Sequence, residues 1–341
     1  MGLNDLLFPF PLDAELTLSE WANYWLETYV KPVAKPSGYE HYHDNLYKHI
    51  LPTLGSMKLN DMSTAVVQRF FNAAAASGNL RNGGPLSAKS MKNMRVVLDV
   101  CCKRAVADGY MHANPVPLTV LKRCRTNRVE TMSDDNQTIL EDWLFEHPCS
   151  ESAAIQIAMF TGARLGEVCA LRWRDYDFET GRIHFRETVR RVSKNEANAE
   201  YGHRTEMVFS STKTDASDRV IYLPQVLQDL MKDQHSRFSR KFREAPKHGD
   251  FIIFNRVGNH MDPDNLSSYF RKTLAELELP HVKFHALRHT FATRAVENGI
   301  DVATVSGILG HADVTTTTHY YVHPREDAMR RAMATIRPVS R

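Results

Sequence analysis

His285–His289, which reads HALRH, and Leu309–Asp313, which reads LGHAD, lie shortly before the tyrosine pair Tyr320–Tyr321. Imidazoles, a guanidinium and two phenols are thus gathered in the C-terminal part of the chain. A phenol, whose pKa is ordinarily about 10, can attack phosphorus only when its proton is removed and the charge developing on the phosphoryl oxygens is neutralised. Histidine and arginine can serve both needs, so this combination suits phosphodiester chemistry that requires no metal.

A second arginine stands far upstream, in Thr161–Glu167, which reads TGARLGE and follows an apolar segment. A planar guanidinium holds phosphate oxygens through paired hydrogen bonds and does not lose its proton in proteins. Two arginines can therefore grip two non-bridging oxygens of one phosphodiester. His285 and Arg288 are three residues apart, so on a helix they would share a face.

From about Thr17 to Ile336 the sequence resembles the tyrosine recombinase (phage integrase) family. That family carries an Arg in a T-G-x-R-x-x-E box, a Lys on a β-hairpin, a His-x-x-Arg pair on a helix, a His in an L-G-H box and a nucleophilic Tyr about ten residues later. All of these elements occur here in the same order. The resemblance implies a supporting role for Glu167, which would orient its neighbours. It implies catalytic roles for Arg164, Lys213, His285, Arg288, His311 and Tyr321.

The resemblance also suggests how these residues divide the work. Lys213 would protonate the leaving 5′-oxygen as general acid, His285 would take the phenolic proton as general base, and His311 would donate a hydrogen bond to a phosphoryl oxygen. Tyr321 fits the family pattern T-T-x-x-Y-x-H, whereas the choice of Tyr320 would put a valine where the pattern has histidine. We favour Tyr321 as the nucleophile, with Tyr320 as the alternative.

The implied activity is site-specific recombination, in which DNA strands are cleaved and rejoined through a 3′-phosphotyrosyl intermediate to integrate or excise a mobile element. The implied partners are double-stranded DNA recombination sites, further copies of the chain in a homotetramer on DNA, and accessory DNA-bending or excision factors. No cofactor and no metal are implied. Type IB topoisomerase-like relaxation of DNA is one alternative, which the helical N-terminal domain disfavours. A catalytically silent DNA-binding protein of the same fold is another, and the full set of polar residues argues against it.

Length and charge agree with this interpretation. The 341-residue chain is too long for one ordinary core and predicts two domains. Its formal net charge is only +3, but the charge is unevenly distributed. Residues 17–125 hold fourteen Lys/Arg and seven Asp/Glu, a net charge of +7, which leaves about −4 for the rest. A basic N-terminal half indicates a polyanionic partner.

The five cysteines show no C-x-x-C spacing and are odd in number, which argues against a disulfide framework and against a zinc site. They are expected to be reduced and mostly buried. The N-terminus lacks the basic segment of a signal peptide, and no apolar run approaches the roughly 20 residues of a membrane span. We expect a cytoplasmic protein that does not bind membranes.

Capping residues predict four helices in the N-terminal half. Four helices joined by short loops form a small bundle, and this segment resembles the SAM-like core-binding domain with which the family clamps one face of the DNA. The signals are a Thr17–Glu20 capping box, caps at Ser37, Ser63 and Ser87, and a stop for the second helix at Pro52 and Gly55.

Basic side chains in this half are candidates for contacts with DNA phosphates, which steady a protein on the duplex without reading its sequence. A solvated helix face and a plain flexible tether are the alternatives. The candidates are Lys89, Lys92 and Arg95 on the fourth helix and Lys122, Arg123 and Arg125 in the segment that follows it.

The second half predicts helices and a small antiparallel sheet. Ser133 can cap its first helix, and an apolar helix ends at Gly162. Lys213 is placed in the loop between the last two strands, and the polar stretch 190–204 is interpreted as an insertion within the sheet, with no function assigned. The strand-like runs are 182–185, 206–209 and 219–223.

The predicted fold class is α+β and mostly helical, with a four-helix SAM-like core-binding bundle followed by a mixed α/β tyrosine-recombinase catalytic domain. The predicted limits are a short N-terminal tail (1–16), the core-binding domain (17–115), a basic linker (116–131), the catalytic domain (132–324) and a C-terminal helix and tail (325–341).

The C-terminal segment carries an apolar stripe at helical spacing. Such a stripe ordinarily packs on its own domain. The resemblance favours docking in trans on a neighbouring protomer, a head-to-tail contact that closes into a ring. The stripe consists of Ala328, Met329, Ala332, Met333 and Ile336.

Overall fold

The chain divides into two compact units, residues 1–127 and 128–341. Each unit has its own hydrophobic core. The computed structural model describes residues 15–80, 82–121, 130–193, 205–211, 215–311 and 313.

Helices form the first unit. Two of them run on into a π turn, at Leu26–Val30 and at Leu46–Ile50, and a short 3₁₀ turn spans Leu59–Asp61. The α-helices are α1 (Leu18–Trp25), α2 (Pro36–Asn45), α3 (Leu51–Leu54), α4 (Thr64–Ser77) and α5 (Ala88–Ala107).

Three of the four predicted N-terminal caps are confirmed. The Thr17 hydroxyl accepts a hydrogen bond from the Glu20 backbone N–H at 3.3 Å, and the Glu20 carboxylate accepts one from the Thr17 N–H at 2.8 Å. Ser63 and Ser87 cap α4 and α5, each by accepting a bond from the N–H three residues ahead. A cap of this kind stabilises a helix by about 1 kcal/mol.

The second predicted helix differs from its prediction. It begins at Pro36, one residue before Ser37, and Pro52 does not end the helical stretch but lies in the first turn of α3. Pro52 comes directly after the last hydrogen bond of the π turn, which joins the Leu51 N–H to the Leu46 carbonyl. The stretch does end at Gly55, as predicted.

The core of the first unit lies between α1 and α5. Trp21 is fully buried, and its indole N–H donates to the Cys101 carbonyl at 3.0 Å, which ties the two helices together. Cys101 and Cys102 are buried and unpaired, as is Cys169 in the second unit, whereas Cys149 is half-buried.

The second unit is built around one central helix. Its helices are α6 (Asp134–Glu146), α7 (Ser150–Thr161), α8 (Leu165–Ala170), α9 (Gln225–Phe242), α10 (Pro263–Glu276), α11 (His285–Glu297) and α12 (Val302–Leu309).

The central helix is α7, of whose 12 residues ten are buried. A helix that is apolar on every side needs neighbours on every side, and α6, α9, α10 and α11 supply them. It ends at Gly162, as predicted, with a left-handed φ of 65°. This turn directs the chain into α8, so the TGARLGE stretch lies at the end of the most deeply buried helix.

Among the described residues, five strands form two small antiparallel sheets. The three-stranded sheet has the order β1-β2-β5, and β3 pairs with β4 in a separate two-stranded sheet. The strands are β1 (Tyr176–Asp177), β2 (Arg182–Phe185), β3 (Glu187–Ser193), β4 (Thr205–Ser211) and β5 (Arg219–Tyr222).

The interpretation of residues 190–204 as an insertion in a single sheet was wrong for the part that the structure describes. Residues 190–193 belong to β3, and residues 194–204 lie outside the described residues. The buried residues of β3, Val189 and Val192, are three positions apart, so the alternation typical of a strand is lost. The segment that holds Lys213 connects two sheets and is not a turn between paired strands, because β4 pairs with β3.

The predicted fold class is confirmed, since helices predominate and the second unit contains small antiparallel sheets. Val116 and Thr119, at the start of the predicted linker, are buried in the first unit. The exact limits of the linker and of the C-terminal segment stay predictions. In the described ranges no helix combines the length and the apolar character that a membrane crossing needs.

Replacing Gly162 by Ala should destabilise the second unit. A Cβ at Gly162 would lie 2.5 Å from Leu309 Cδ2 and 2.8 Å from Phe291 Cδ1. The left-handed backbone alone costs an L-residue about 1 kcal/mol, and the clash should bring the loss to roughly 3 kcal/mol, measured by urea unfolding. Gly299→Ala is the matched control, because Gly299 also has a positive φ but its Cβ would meet nothing within 4 Å. Equal losses for the two variants would contradict close packing at Gly162.

Candidate active site

Three segments that are far apart in sequence converge in the second unit. The turn after α7 and the first turn of α8 contribute Arg164 and Glu167, the first turn of α11 contributes His285 and Arg288, and His311 follows the end of α12. All five residues were predicted from the sequence, and the structure brings them together.

Backbone carbonyls hold both guanidiniums. Arg288 Nη1 donates to the Gly162 carbonyl at 2.9 Å, and Arg164 Nη2 donates to the Gly310 carbonyl at 3.3 Å. Arg288 is only 2% exposed, whereas the Arg164 side chain is 37% exposed. One guanidinium is therefore fixed inside the protein, and the other leaves an edge open to a ligand.

Glu167 is buried between two arginines. Its carboxylate accepts hydrogen bonds from the Arg164 backbone N–H at 3.0 Å, from Arg164 Nη1 at 2.6 Å and from Arg219 Nη2 at 2.9 Å. Burial raises the pKa of Glu167, but the charges and hydrogen bonds of Arg219 and Arg164 more than offset it, and the pKa lies below its usual value. The carboxylate stays ionised and orients both guanidiniums.

Residues His285 and Arg288 share one face of α11, as their spacing predicts. The ring of His289, one turn beyond His285, meets the His285 ring edge-on with 4.6 Å between centroids. Three basic side chains therefore stand side by side at the start of this helix.

Both predicted catalytic histidines are neutral at neutral pH. The His285 side chain keeps contact with solvent, but the surrounding protein removes part of its hydration. This desolvation and the positive charges of His289, Arg288 and Arg164 lower its pKa to about 4. Burial, followed by the charges of Arg288 and Arg164, lowers the pKa of His311 to about 4 as well. The positive charges that disfavour protonation of the two rings also favour the binding of an anion beside them.

The balance of charge is positive. Arg164 and Arg219 pair with the carboxylate of Glu167, and Arg288 lies near His311 together with them, so the guanidiniums exceed the carboxylate in charge. Across the described ranges, no cluster of three or more His, Cys, Asp or Glu side chains has an arrangement suited to a metal ion. The arrangement can bind a phosphate anion, and its neutral imidazoles can accept or donate a proton.

Three predicted site residues, Lys213, Tyr321 and its alternative Tyr320, lie outside the described residues, as does the apolar stripe of 328–336. Their roles stay predictions.

The predicted DNA-binding residues fall into three groups. Lys89 and Lys92 are exposed on α5. Arg95 is half-buried, and its Nη2 donates to the Pro117 carbonyl at 3.0 Å, so part of its hydrogen-bonding capacity is used inside the first unit. The remaining candidates, Lys122, Arg123 and Arg125, lie outside the described residues.

Arg219 and His289 were not among the predicted site residues. A signal for Arg219 was present, because alternation along β5 puts Arg219 and Ile221 on the buried face of the strand. A charged residue on a buried face requires a partner of opposite charge. His289 offered no comparable signal, since it stands beside the His-x-x-Arg pair without being part of the motif.

Comparisons with known proteins agree with the geometry. The sequence matches the Phage integrase family over residues 122–327 and the Phage integrase, N-terminal SAM-like domain over residues 17–74. A Tyrosine recombinase XerC-like protein of Caldanaerobacter subterraneus subsp. tengcongensis is 27% identical over 323 residues, which are 91% of this chain and 80% of the relative.

Solved structures share the fold. The Tn1549 transposon integrase in complex with transposon right end DNA superposes with a TM-score of 0.75 at 18% identity, over 94% of this chain and 99% of that one. A lambda integrase tetramer bound to a Holliday junction gives a TM-score of 0.65 at 19% identity, over 94% of this chain and 85% of that one.

Lowering the pH should destabilise the second unit partly through His285 and His311. Unfolded histidines, with a pKa near 6.5, take up protons before the folded ones, whose pKa is about 4. The stability that the neutral rings contribute is therefore present above about pH 6.5 and lost as the pH falls towards about 4. We expect the double variant H285Q/H311Q to lose less stability than the wild type between about pH 7 and about pH 4.5, as measured by urea unfolding.

His248→Gln is the control for that comparison, because His248 is exposed and lies outside the site. It should follow the wild type across the same pH range. If the double variant and the wild type lost equal stability, the two histidines would not be held neutral by their surroundings.

Proposed function

Since the chain belongs to the phage integrase family of tyrosine recombinases, which carry out site-specific DNA recombination, we propose that Arg164, His285, Arg288 and His311 hold the scissile phosphate of a DNA recombination site. The observation that carries the proposal is the convergence of these four cationic or imidazole side chains from three separate segments. A phosphodiester carries one negative charge, and its pentavalent transition state carries more.

Cleavage begins with attack of the Tyr321 hydroxyl oxygen on phosphorus. A bond forms between that oxygen and phosphorus while the bond from phosphorus to the 5′-oxygen breaks, which leaves a 3′-phosphotyrosyl link and a free 5′-hydroxyl. The phenolic proton passes to the neutral His285 ring, whose pKa of about 4 in the protein alone would rise beside the negative charge of the bound phosphate. Lys213 donates a proton to the departing 5′-oxygen. A 5′-hydroxyl from a partner duplex reverses these steps, so the bond energy is conserved and no ATP is consumed.

Arg164, His285, Arg288 and His311 together form what we call the phosphate clamp. Its two guanidiniums are preorganised. Arg288 is fixed to the Gly162 carbonyl and Arg164 to Glu167 and the Gly310 carbonyl before any ligand arrives. Donors that are held in place need no reorganisation when charge develops on the phosphoryl oxygens. His311, in its neutral form, retains one N–H with which to donate to a phosphoryl oxygen.

The macromolecular partner is duplex DNA, which the basic first unit would contact through exposed Lys89 and Lys92. The linker residues 122–125 would add further phosphate contacts. We assign a homotetramer on DNA, because the fold is shared with the lambda integrase tetramer on a Holliday junction. The apolar stripe of the C-terminal segment 325–341 would dock in trans in that assembly. Accessory DNA-bending or excision factors would join that assembly.

Replacing Tyr321 by Phe should abolish the covalent protein–DNA adduct on a nicked substrate that traps it. DNA affinity should change by no more than about 1 kcal/mol, the value of a single hydrogen bond, because the phosphate contacts remain. The adduct is measured on a denaturing gel and the affinity by gel shift. Tyr320→Phe is the control and should still form the adduct; the reverse result would make Tyr320 the nucleophile.

Lysine should not replace either clamp arginine. Arg164→Lys and Arg288→Lys keep the charge but lose the planar fork, so each should slow single-turnover cleavage by roughly 10²- to 10³-fold, as loss of one oxyanion-stabilising donor does. The matched control is Arg182→Lys at an exposed position of β2, which should cleave at the wild-type rate. Near wild-type cleavage by Arg288→Lys would contradict the clamp.

A further inference from the structure

A buried arginine outside the predicted set contacts three parts of the site. Arg219, the first residue of β5, is only 7% exposed. Its Nη2 donates to Glu167 Oε2 at 2.9 Å, its Nε to the Ile308 carbonyl at 2.6 Å and its Nη1 to the Ser217 carbonyl at 3.1 Å. Its guanidinium also lies over the Phe185 ring, 4.6 Å from the centroid. Every nitrogen of the guanidinium therefore bonds to a different segment.

Each of these contacts leads to a residue of the proposed mechanism. Glu167 orients Arg164. Ile308 lies in the last turn of α12, three residues before His311. Ser217 ends the 3₁₀ turn Asp215–Ser217, which follows the segment of Lys213. Arg219 thus joins the phosphate clamp to the 215–217 turn, which follows the proposed general acid Lys213 in the sequence.

A second observation shows how closely these segments approach. Gly310 has a left-handed φ of 67°, and a Cβ there would lie 2.9 Å from the Ala216 carbonyl oxygen and 3.0 Å from Arg219 Cδ. The Gly310 carbonyl accepts hydrogen bonds from both Ser217 Oγ and Arg164 Nη2, each at 3.3 Å. The 215–217 turn and the phosphate clamp therefore meet at the Gly310 carbonyl, with no room between them for a side chain at position 310.

Charge gives Arg219 a second effect on the clamp. Because Glu167 is shared between two guanidiniums, it does not fully neutralise Arg164, which keeps positive charge for a phosphate. Without Arg219 the carboxylate would pair with Arg164 alone. The same arginine is among the charges that lower the pKa of His311.

We propose that Arg219 is a positioning residue for DNA cleavage, which holds the 215–217 turn, two residues after Lys213 in the sequence, in register with the Arg164–His311 side of the phosphate clamp. The inference rests on the proposed function of the site. It predicts two effects of losing Arg219, namely misplacement of the general acid and weakening of the clamp. A positional error of about 1 Å can cost about 10²-fold in rate, so cleavage should fall by that order.

The test compares two DNA substrates that differ in one bridging atom. In the first, the leaving group is the natural 5′-oxygen; in the second it is sulfur, whose conjugate thiol has a pKa near 8.5 and which departs without a proton from the enzyme. Arg219→Gln should cleave the oxygen substrate about 10²-fold more slowly than the wild type. On the sulfur substrate, its cleavage rate relative to the wild type should rise by about tenfold or more. The weakened clamp should leave a residual deficit in that rate. Arg182→Gln is the control and should cleave both at the wild-type rate.

Lys213→Ala separates failure of this inference from failure of the proposed function. It should be slow on the oxygen substrate and recover on the sulfur substrate; if it does not recover, Lys213 is not the general acid and the proposed mechanism fails. If Lys213→Ala recovers but Arg219→Gln shows the same deficit on both substrates, Arg219 does not position the 215–217 turn. Wild-type cleavage of the oxygen substrate by Arg219→Gln would overturn the inference outright.

Arg219→Lys covers the case in which Arg219→Gln does not fold. Lysine keeps the charge beside Glu167 but cannot form the same three directed bonds, so the variant should melt near the wild type, cleave the oxygen substrate more slowly and recover in part on sulfur. NMR titration of His311 gives an independent readout, since its pKa should rise in Arg219→Gln and stay low in Arg219→Lys. A Lys variant that matches the wild type on both substrates would refute the positioning role.

Discussion

The carboxylate of Glu167 cannot be buried alone, and the site is organised around that constraint. A buried charge requires partners of opposite charge and satisfied hydrogen bonds. Arg164 and Arg219 provide both, one from the turn after the central helix α7 and the other from the first position of β5. The carboxylate thereby joins an element of the helical core to a strand of the three-stranded sheet. Once these two are joined, the L-G-H segment follows, because Arg164 bonds to its Gly310 carbonyl and Arg219 to the carbonyl of Ile308, the residue just before it.

The same arrangement holds positively charged side chains close together before any phosphate is bound. Burial is the first cause of the low pKa values of His285 and His311, and the cations lower them further, since protonation of either ring would add a charge beside Arg164 and Arg288. The protein thus gives up stability at acidic pH to maintain a positive, preorganised site. A phosphate that enters it supplies the missing negative charge, so the binding of DNA and the stability of the site are coupled.

Motif order was enough to predict which described residues would meet, because Arg164, Glu167, His285, Arg288 and His311 do lie together. Caps and the left-handed glycine after α7 were also readable, since they depend on local chemistry. The strand β3 was not, because its buried valines are three apart and the pairing partner β4 lies beyond a long polar stretch. The division of the strands between two sheets is decided by tertiary contacts, which no local sequence pattern reveals.

What the motifs could not disclose is how the guanidiniums are held. The carbonyls of Gly162, Ile308 and Gly310 accept hydrogen bonds from Arg288, Arg219 and Arg164 respectively. Any residue has a carbonyl, so these acceptors leave no trace in the sequence except where close approach demands a glycine. Gly162 and Gly310 are such positions, since each has a positive φ and each would place a Cβ at 2.9 Å or less from a neighbouring segment. The glycines of the T-G-x-R and L-G-H boxes therefore encode the backbone on which the phosphate clamp is built, and Arg288 and Arg164 depend on their carbonyls.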